Sequence, residues 1–490
     1  MNISGKDLID IGYIPGKDFR DYLNDAQSLL DEGKSKDQVL DTMKLRIPAI
    51  PDKIKCKTKP SSLEMAIVPE TEEERINVTA AIKQMNELLL TPKVLRGAIM
   101  PDTCPAGHGT ATIPVGGAIE VENAIIPAAH SADICCSMHC SFFLSDENDK
   151  SLIDTLQKST RFGMGGRHPQ NQIDHPVIHE AVWQNPYLKG LEDYARKHMA
   201  DQGDGNHFAY IGSTQVTEEF INWLDTNGYN EYAKGLNNSI GKTVKTLVTH
   251  HGSRGLGAQV YKRGMETALK HTKKVADGVP DNATWIDFDS QEGHDYWDAL
   301  QYTARWTKGN HESIHSLFLN NIKAPSLTSF GNEHNFVWKR GDNFYHGKGA
   351  TPAWADPEGR PLLGLIPLNM ASPVMMVLGK NNDKFLSFAP HGAGRNVSRT
   401  ALISRFKRAD GTIDEELQRQ SLIDSTKHID ARWYSGTADI SESPLGYKSP
   451  DKIKAEINKF DLANVIGEIS PHGCIMAGHF PKPWDKKKKK

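Results

Sequence analysis

Several things are scarce in this sequence, and each scarcity excludes something. Six cysteines in 490 residues are too few for a disulfide scaffold. Charge of one sign is not in excess: 58 basic against 61 acidic residues leave a formal net charge of −3. Bulk electrostatics therefore announce no nucleic-acid partner, and such a partner would need a local basic patch. No apolar run reaches the ~18 residues that cross a bilayer. The opening, Met1-Asn2-Ile3-Ser4-Gly5-Lys6, lacks a basic segment followed by an apolar one, so no secretory leader is expected. A repeat of useful period is missing. So is the Gly-x4-Gly-Lys-Ser/Thr loop, and Gly163-Met164-Gly165-Gly166 misses the Gly-x-Gly-x-x-Gly spacing of dinucleotide sites. These exclusions leave a cytoplasmic, globular chain large enough for one big core or two.

The N-terminal part reads as helical. Pro15-Gly16-Lys17 opens a run in which Phe19, Tyr22, Leu23, Ala26, Leu29 and Leu30 keep helical spacing, and Gly33 fits the stop. Val39, Leu40 and Met43 mark a second short helix. Residues 51–75, rich in Pro, Lys, Ser and Glu, read as a connector, followed by a helix over Asn77–Leu90. From residue 94 short apolar runs such as Val94–Met100 and Lys245–Val248 alternate with Gly, His and Asn clusters. That texture predicts strands delivering polar residues at their ends. Residues 407–430 and 450–466 read as helical again. The boundaries expected are an extension and connector over 1–75, a catalytic domain over 76–478, and a basic tail over 479–490. The lysines Lys486 to Lys490 are a solvated end or a phosphate-attracting one.

Glycine is plentiful, at 41 residues, and much of it brackets histidine, asparagine or lysine in short polar strings. Such placement lets backbone approach a ligand. The first string is Ala132-Asp133-Ile134-Cys135-Cys136-Ser137, where Asp133 and Cys136 are close enough to aim at one ion; a buried Cys pair with an Asp cap is the plainer alternative. The others are Gly205-Asn206-His207-Phe208, His250-His251-Gly252-Ser253-Arg254-Gly255, and Asn332-Glu333-His334-Asn335. Each alone is also what a satisfied polar cluster looks like. Together they offer one thiolate, one carboxylate and three imidazoles, a set of intermediate softness that suits Mn, Fe, Co or Zn better than Mg or Ca. A fifth string, His391-Gly392-Ala393-Gly394-Arg395, leaves an imidazole open beside a cation. It fits a nucleophile that forms a labile phosphoramidate, or a glycine turn with a structural histidine. Lys348, in His346-Gly347-Lys348-Gly349, is a second glycine-flanked cation.

These strings, in this order, resemble the RtcB family of RNA ligases over about residues 94–478. Met100-Pro101-Asp102, Pro114-Val115-Gly116-Gly117 and Lys348-Gly349-Ala350-Thr351 add to the likeness. The resemblance implies an α+β fold: one large mixed-sheet catalytic domain with a deep metal cleft, preceded by a helical extension. It implies joining of an RNA 3′-phosphate or 2′,3′-cyclic phosphate to a 5′-hydroxyl, with GTP and two Mn²⁺ ions. By motif match, Asp133, Cys136, His207, His250 and His334 would hold the metals, Cys136 between them, and His391 would be the guanylylated nucleophile. Asn206, His334, Asn335, Pro367, Asn369, Met370, Ser372, Gly392, Ala393, Gly394 and Tyr447 would lie around the nucleotide. Arg254, Lys348 and Arg395 would meet phosphate or RNA. An archease-like activator is a further implied partner.

The sequence also departs from the family pattern. Cys104 stands where the family has His after Pro-Asp-x, Tyr210 stands where a Glu helps hold the base, and no Lys precedes Gly478; Lys482 or the lysine tail is the candidate substitute. Losing a charged hydrogen bond to a base costs roughly 1.5–3 kcal/mol, enough to shift GTP against ATP by more than about tenfold. The expectation is a divergent paralogue that keeps metal and nucleophile positions while base recognition has changed. The competing readings are a metal-dependent phosphohydrolase, a 3′-phosphate nucleotide-capping enzyme, and a non-catalytic protein that binds RNA ends.

Overall fold

The computed structural model describes residues 2–13, 19–46, 52–107 and 109–480. Pro15-Gly16-Lys17, Lys482 and the lysine tail lie outside them. The chain divides into two compact units, Met1–Ile54 and Lys55–Lys490.

The first unit is helical, as the spacing predicts. Helices Gly5–Asp10, Phe19–Asp31 and Lys36–Lys44 bury Leu8, Ala26, Leu29, Val39 and Met43 in a small core of their own. Ser4 and Ser35 cap two of them with reciprocal bonds to Asp7 and Gln38, which satisfies amides the first turn leaves unpaired.

In the second unit, residues read as connector contribute structure: Ser62–Met65 is a strand pairing in parallel with Val94–Cys104. The helix expected from Asn77 begins earlier, at Glu72, because Thr71 caps it and three glutamates occupy its first turn. Two sheets carry the fold. The larger runs, in spatial order, Ser326–Glu333, Ser137–Phe143, Thr243–His251, Phe208–Gln215, Ala463–Met476, Val374–Gly379 and Leu363–Ile366, with Asp430–Trp433 added beside Ala463–Met476. All its pairings are antiparallel except that last one. The five-stranded sheet runs Asn335–Arg340, Asn343–Lys348, Val115–Glu122, Val94–Cys104 and Ser62–Met65. The mixed-sheet α+β expectation is therefore met.

Helices over 407–430 and 450–466 are shorter than expected. Lys407 and Ile413 form a bridge around a turn at Gly411, and the helix spans only Glu415–Thr426. The later one spans Pro450–Lys459; Asp461 then adopts φ +56, and the chain enters the strand Ala463–Met476. No helix among the described residues is long and apolar enough to cross a membrane.

Candidate active site

Four neighbouring strands of the large sheet bring the polar strings together. Antiparallel pairing puts the starts of Ser137–Phe143 and Phe208–Gln215 beside the ends of Thr243–His251 and Ser326–Glu333. In register, His250 faces Met138 on one side and Phe208 on the other, while Glu333 faces Ser137. Residues at those strand ends (Cys136, His207, His250 and His334) therefore meet at one edge of the sheet. Cys135, in the left-handed region at φ +57, makes the turn that presents Cys136; such strained positions collect at functional sites.

The side chains form two overlapping triads, Cys136–His250–His334 and Asp133–Cys136–His207, each with its ligand atoms within 4.8 Å of one another. Cys136 Sγ lies 3.2 Å from His250 Nε2 and 3.5 Å from His207 Nε2. His250 Nε2 is 3.1 Å from His334 Nε2, and His207 Nε2 is 3.0 Å from Asp133 Oδ2. His250 Nδ1 faces the Asn206 carbonyl at 3.3 Å. That bond places its proton on Nδ1 and turns the Nε2 lone pair into the cluster. Asp133 reaches its place because Gly252 has no side chain: a Cβ there would come within 2.0 Å of Asp133 Oδ1.

Burial holds His250 and His334 well below the ordinary histidine value, so both imidazoles are neutral. Burial and the Asp133 carboxylate push the Cys136 thiol well above its ordinary value. Burial alone would raise Asp133, but His207 and Arg254 outweigh it and hold the carboxyl below its usual range. His334 Nδ1 is buried with no partner. A thiol, two neutral imidazoles and a carboxylate balanced by His207 and Arg254 face one another here. A divalent ion fits that donor set, and its charge would deprotonate the thiol.

The triads open into a cleft of about 370 Å³. Asn206, Asn335, Pro367, Asn369, Met370, Gly392, Ala393, Gly394 and Tyr447 line it, as do Lys348, Arg395 and His391. Ser372 and Arg254 do not appear on its wall. Arg254, expected at phosphate or RNA, has φ +56 and donates from Nη1 to His207 Nδ1 at 3.2 Å. It thus stands behind the His207 imidazole. Arg395 donates to the Ser441 carbonyl at 2.7 Å, lies 5.1 Å from the Tyr447 ring, and keeps Nη2 buried without a partner. Burial lowers the Lys348 ammonium to about 8.

His391 is held by a residue the sequence reading quoted in a motif but gave no role. Asp102, fully buried, accepts from His391 Nδ1 at 2.6 Å and from the His391 backbone N–H at 3.2 Å. This fixes the orientation of the ring and puts an N–H on the side of Asp102. The motif Met100-Pro101-Asp102, ending a buried strand with a carboxylate, was the available signal. Lys448, also buried, donates to the carbonyls of Pro101 and Thr103 at 2.9 and 2.5 Å and so pins the segment carrying Asp102. Glu442 was likewise missed; it accepts from Tyr447 Oη at 2.9 Å and from Arg399 Nε at 2.5 Å at the cleft wall.

The departures from the family pattern fall differently. Cys104 lines the cleft, and burial raises its thiol. Tyr210 does not: it is buried in the core, where its hydroxyl donates to the Ile469 carbonyl at 2.9 Å.

This chain is similar to known proteins along most of its length. The family described as tRNA-splicing ligase RtcB matches residues 84–477. The tRNA-splicing ligase RtcB of Thermococcus kodakarensis is 26% identical, across 82% of this chain and 92% of its own. The RNA-splicing ligase RtcB of Escherichia coli K12 is 24% identical, across 77% and 89%. The tRNA-splicing ligase RtcB of Archaeoglobus fulgidus is 23% identical, across 80% and 90%.

Proposed function

Because this chain belongs to the RtcB family of tRNA-splicing ligases, we propose that it is an RNA ligase working through a guanylylated His391. It joins a 3′-phosphate end, or a 2′,3′-cyclic phosphate end first opened by water, to a 5′-hydroxyl end. The observation that carries this reading is the 2.6 Å bond from His391 Nδ1 to buried Asp102, on the wall of the cleft that the two triads share.

Asp133, Cys136, His207, His250 and His334 would hold two Mn²⁺ ions, which supply positive charge against phosphoryl oxygens. His391 Nε2 attacks the α-phosphorus of GTP; the bond to the β-phosphate oxygen breaks and pyrophosphate leaves. Asp102 keeps the other ring proton on Nδ1 and stabilises the positive charge the ring gains. The RNA 3′-phosphate then attacks the His391-bound phosphorus, freeing the histidine and leaving GMP on the RNA end through a diphosphate. The 5′-hydroxyl attacks the RNA-side phosphorus, its proton is lost to solvent, and GMP departs. Lys348 and the unpartnered end of Arg395 would neutralise phosphate charge, and Asn206, Asn335 and the Pro367–Met370 segment would frame the nucleotide. Each step exchanges one phosphoryl bond for another, the usual advantage of covalent catalysis.

The test is a ligation assay with Mn²⁺, GTP, a labelled 3′-phosphate RNA and a 5′-hydroxyl RNA. Joined product that vanishes in His391→Ala supports the ligase. A GMP-capped 3′ end that never joins would replace it with a capping enzyme. Phosphate release that survives His391→Ala would replace it with a hydrolase, and RNA binding without turnover would leave an RNA-end sensor.

A further inference from the structure

Away from the His391 cleft, a second cavity of about 560 Å³ opens where the strand Asn335–Arg340 ends. That strand forms one edge of the five-stranded sheet. Three indole rings line the cavity: Trp297, Trp338 and Trp354. The first two are partly exposed.

Two cations stand against aromatic rings at this end of the strand. The Arg340 guanidinium lies 4.8 Å from the Trp354 ring centre and 5.1 Å from that of Tyr345. Lys339 Nζ lies 4.7 Å from that of Phe288. Neither cation makes an ion pair among the described residues. The carboxylate at the rim, Asp356, is already taken by Arg360 Nε at 2.7 Å. Arg340 also acts on the Asp383 carboxylate, which Arg96 holds at 2.9 Å, so both cations keep donors for a ligand. Gln301, from the helix Gln291–Asn321, completes the wall, and its side-chain Nε2 is buried without a hydrogen-bond partner. A buried amide group left unpaired calls for one.

Aromatic faces interleaved with free cations are how proteins hold single-stranded nucleic acid: bases stack and the backbone is neutralised. We propose that this cavity takes an unpaired nucleotide of the RNA substrate. The base packs against the tryptophan rings, Gln301 donates to its edge, and Lys339 and Arg340 meet its phosphates. The assignment rests on the RNA-ligase reading and adds to it where the RNA is held. At 3.3–3.4 Å per residue the strand carries Arg340 about 17 Å from Asn335 in the cleft. The nucleotide held here therefore lies outside the reacting ends, and the cavity serves RNA retention rather than chemistry.

The test uses the full chain loaded with Mn²⁺, without GTP, and a fluorescent single-stranded 3′-phosphate RNA followed by anisotropy. Wild type is compared with the Lys339→Ala/Arg340→Ala double variant and with Lys339→Arg/Arg340→Lys, each also assayed for GMP labelling. The alanine pair is expected to weaken RNA binding about tenfold or more and to flatten the salt dependence by about 0.7 per lost cation. The charge-preserving pair is expected to retain affinity, and GMP labelling is expected to be unchanged in both. In wild type carrying 5-iodouridine RNA, light is expected to link the RNA to Trp297, Trp338 or Trp354. Intact labelling with unchanged RNA affinity and salt slope in the alanine pair, or cross-links confined to the His391 cleft, overturns the assignment. Wild-type protein that takes no GMP label and binds no RNA instead overturns the ligase reading on which it rests.

Discussion

Replacing Asp102 with Asn keeps the volume of the side chain and removes its charge. Asp102 accepts from His391 Nδ1 at 2.6 Å and from the His391 amide at 3.2 Å inside a fully buried setting. A charge-assisted bond of this kind is worth about 1.5–3 kcal/mol, which converts to a rate factor of about 10–150. The amide also has a second option: its NH₂ can donate to Nδ1, which moves the ring proton to Nε2 and removes the attacking lone pair. In the Ser-His-Asp triad that tautomer error costs about 10⁴. Asp102→Asn is therefore expected to slow guanylylation of His391 by about 10–10⁴. The assay is single-turnover incorporation of labelled GMP at saturating GTP and Mn²⁺, with metal content and melting temperature measured on the same preparations. A labelling rate equal to wild type, in a folded and metal-loaded variant, would show that Asp102 does not set the tautomer of the nucleophile.

Other perturbations have equally definite outcomes. Lys348 titrates at about 8, so the cleft loses a positive charge as pH rises through that value. GTP affinity, measured by calorimetry, is expected to fall above pH 8 in wild type and to hold in Lys348→Arg, since arginine stays charged. Its folded value lies below the unfolded value of about 10.4, so the unfolded chain binds more protons between the two, and this group's contribution to stability rises with pH across that window. Cys136 belongs to both triads and Asp133 to one. Elemental analysis after Mn²⁺ loading is accordingly expected to show one ion retained in Asp133→Ala and binding at both positions weakened in Cys136→Ala. Tyr210→Phe removes the bond to the Ile469 carbonyl and is expected to cost about 1 kcal/mol in denaturant unfolding while leaving the GTP-to-ATP preference unchanged. At Gly203, φ is +87 and an added Cβ would come within 1.7 Å of the Arg254 guanidinium carbon. Gly203→Ala is expected to cost about 1–3 kcal/mol through backbone strain and to weaken Mn²⁺ binding by displacing Arg254 from His207, read by calorimetric titration.

The sequence displayed the site better than the fold. Glycine-flanked strings around His207, His250, His334 and His391 stand out because chemistry requires those residue types at strand ends, whatever the architecture. Their register does not, since only pairing across the sheet sets His250 opposite Met138 and Phe208. The helix Gln291–Asn321 escaped a search for apolar periodicity because its buried face carries Thr303, Thr307, Asn310, His311 and His315. These polar groups are satisfied internally: Thr249 Oγ1 meets His311 at 2.6 Å and His315 at 2.8 Å, and Asn310 bonds the Asp201 backbone at both ends. Tyr210 stands where the resemblance puts a base-holding Glu; its hydroxyl meets a carbonyl within the core, and no local pattern announces such a pairing across 259 residues. Arg254 was legible as a cation beside a glycine turn, whereas its aim at His207 depended on Gly203 leaving room.

The most direct test of the central claim is peptide-level mass spectrometry of wild-type protein mixed with Mn²⁺ and GTP and quenched under mildly alkaline conditions, where a phosphoramidate survives. The account predicts a guanylyl group on the peptide containing His391-Gly392-Ala393-Gly394-Arg395, lost on brief acid treatment and missing from His391→Ala. Metal-loaded, folded protein that carries no guanylyl group, or carries it on another residue, would contradict it.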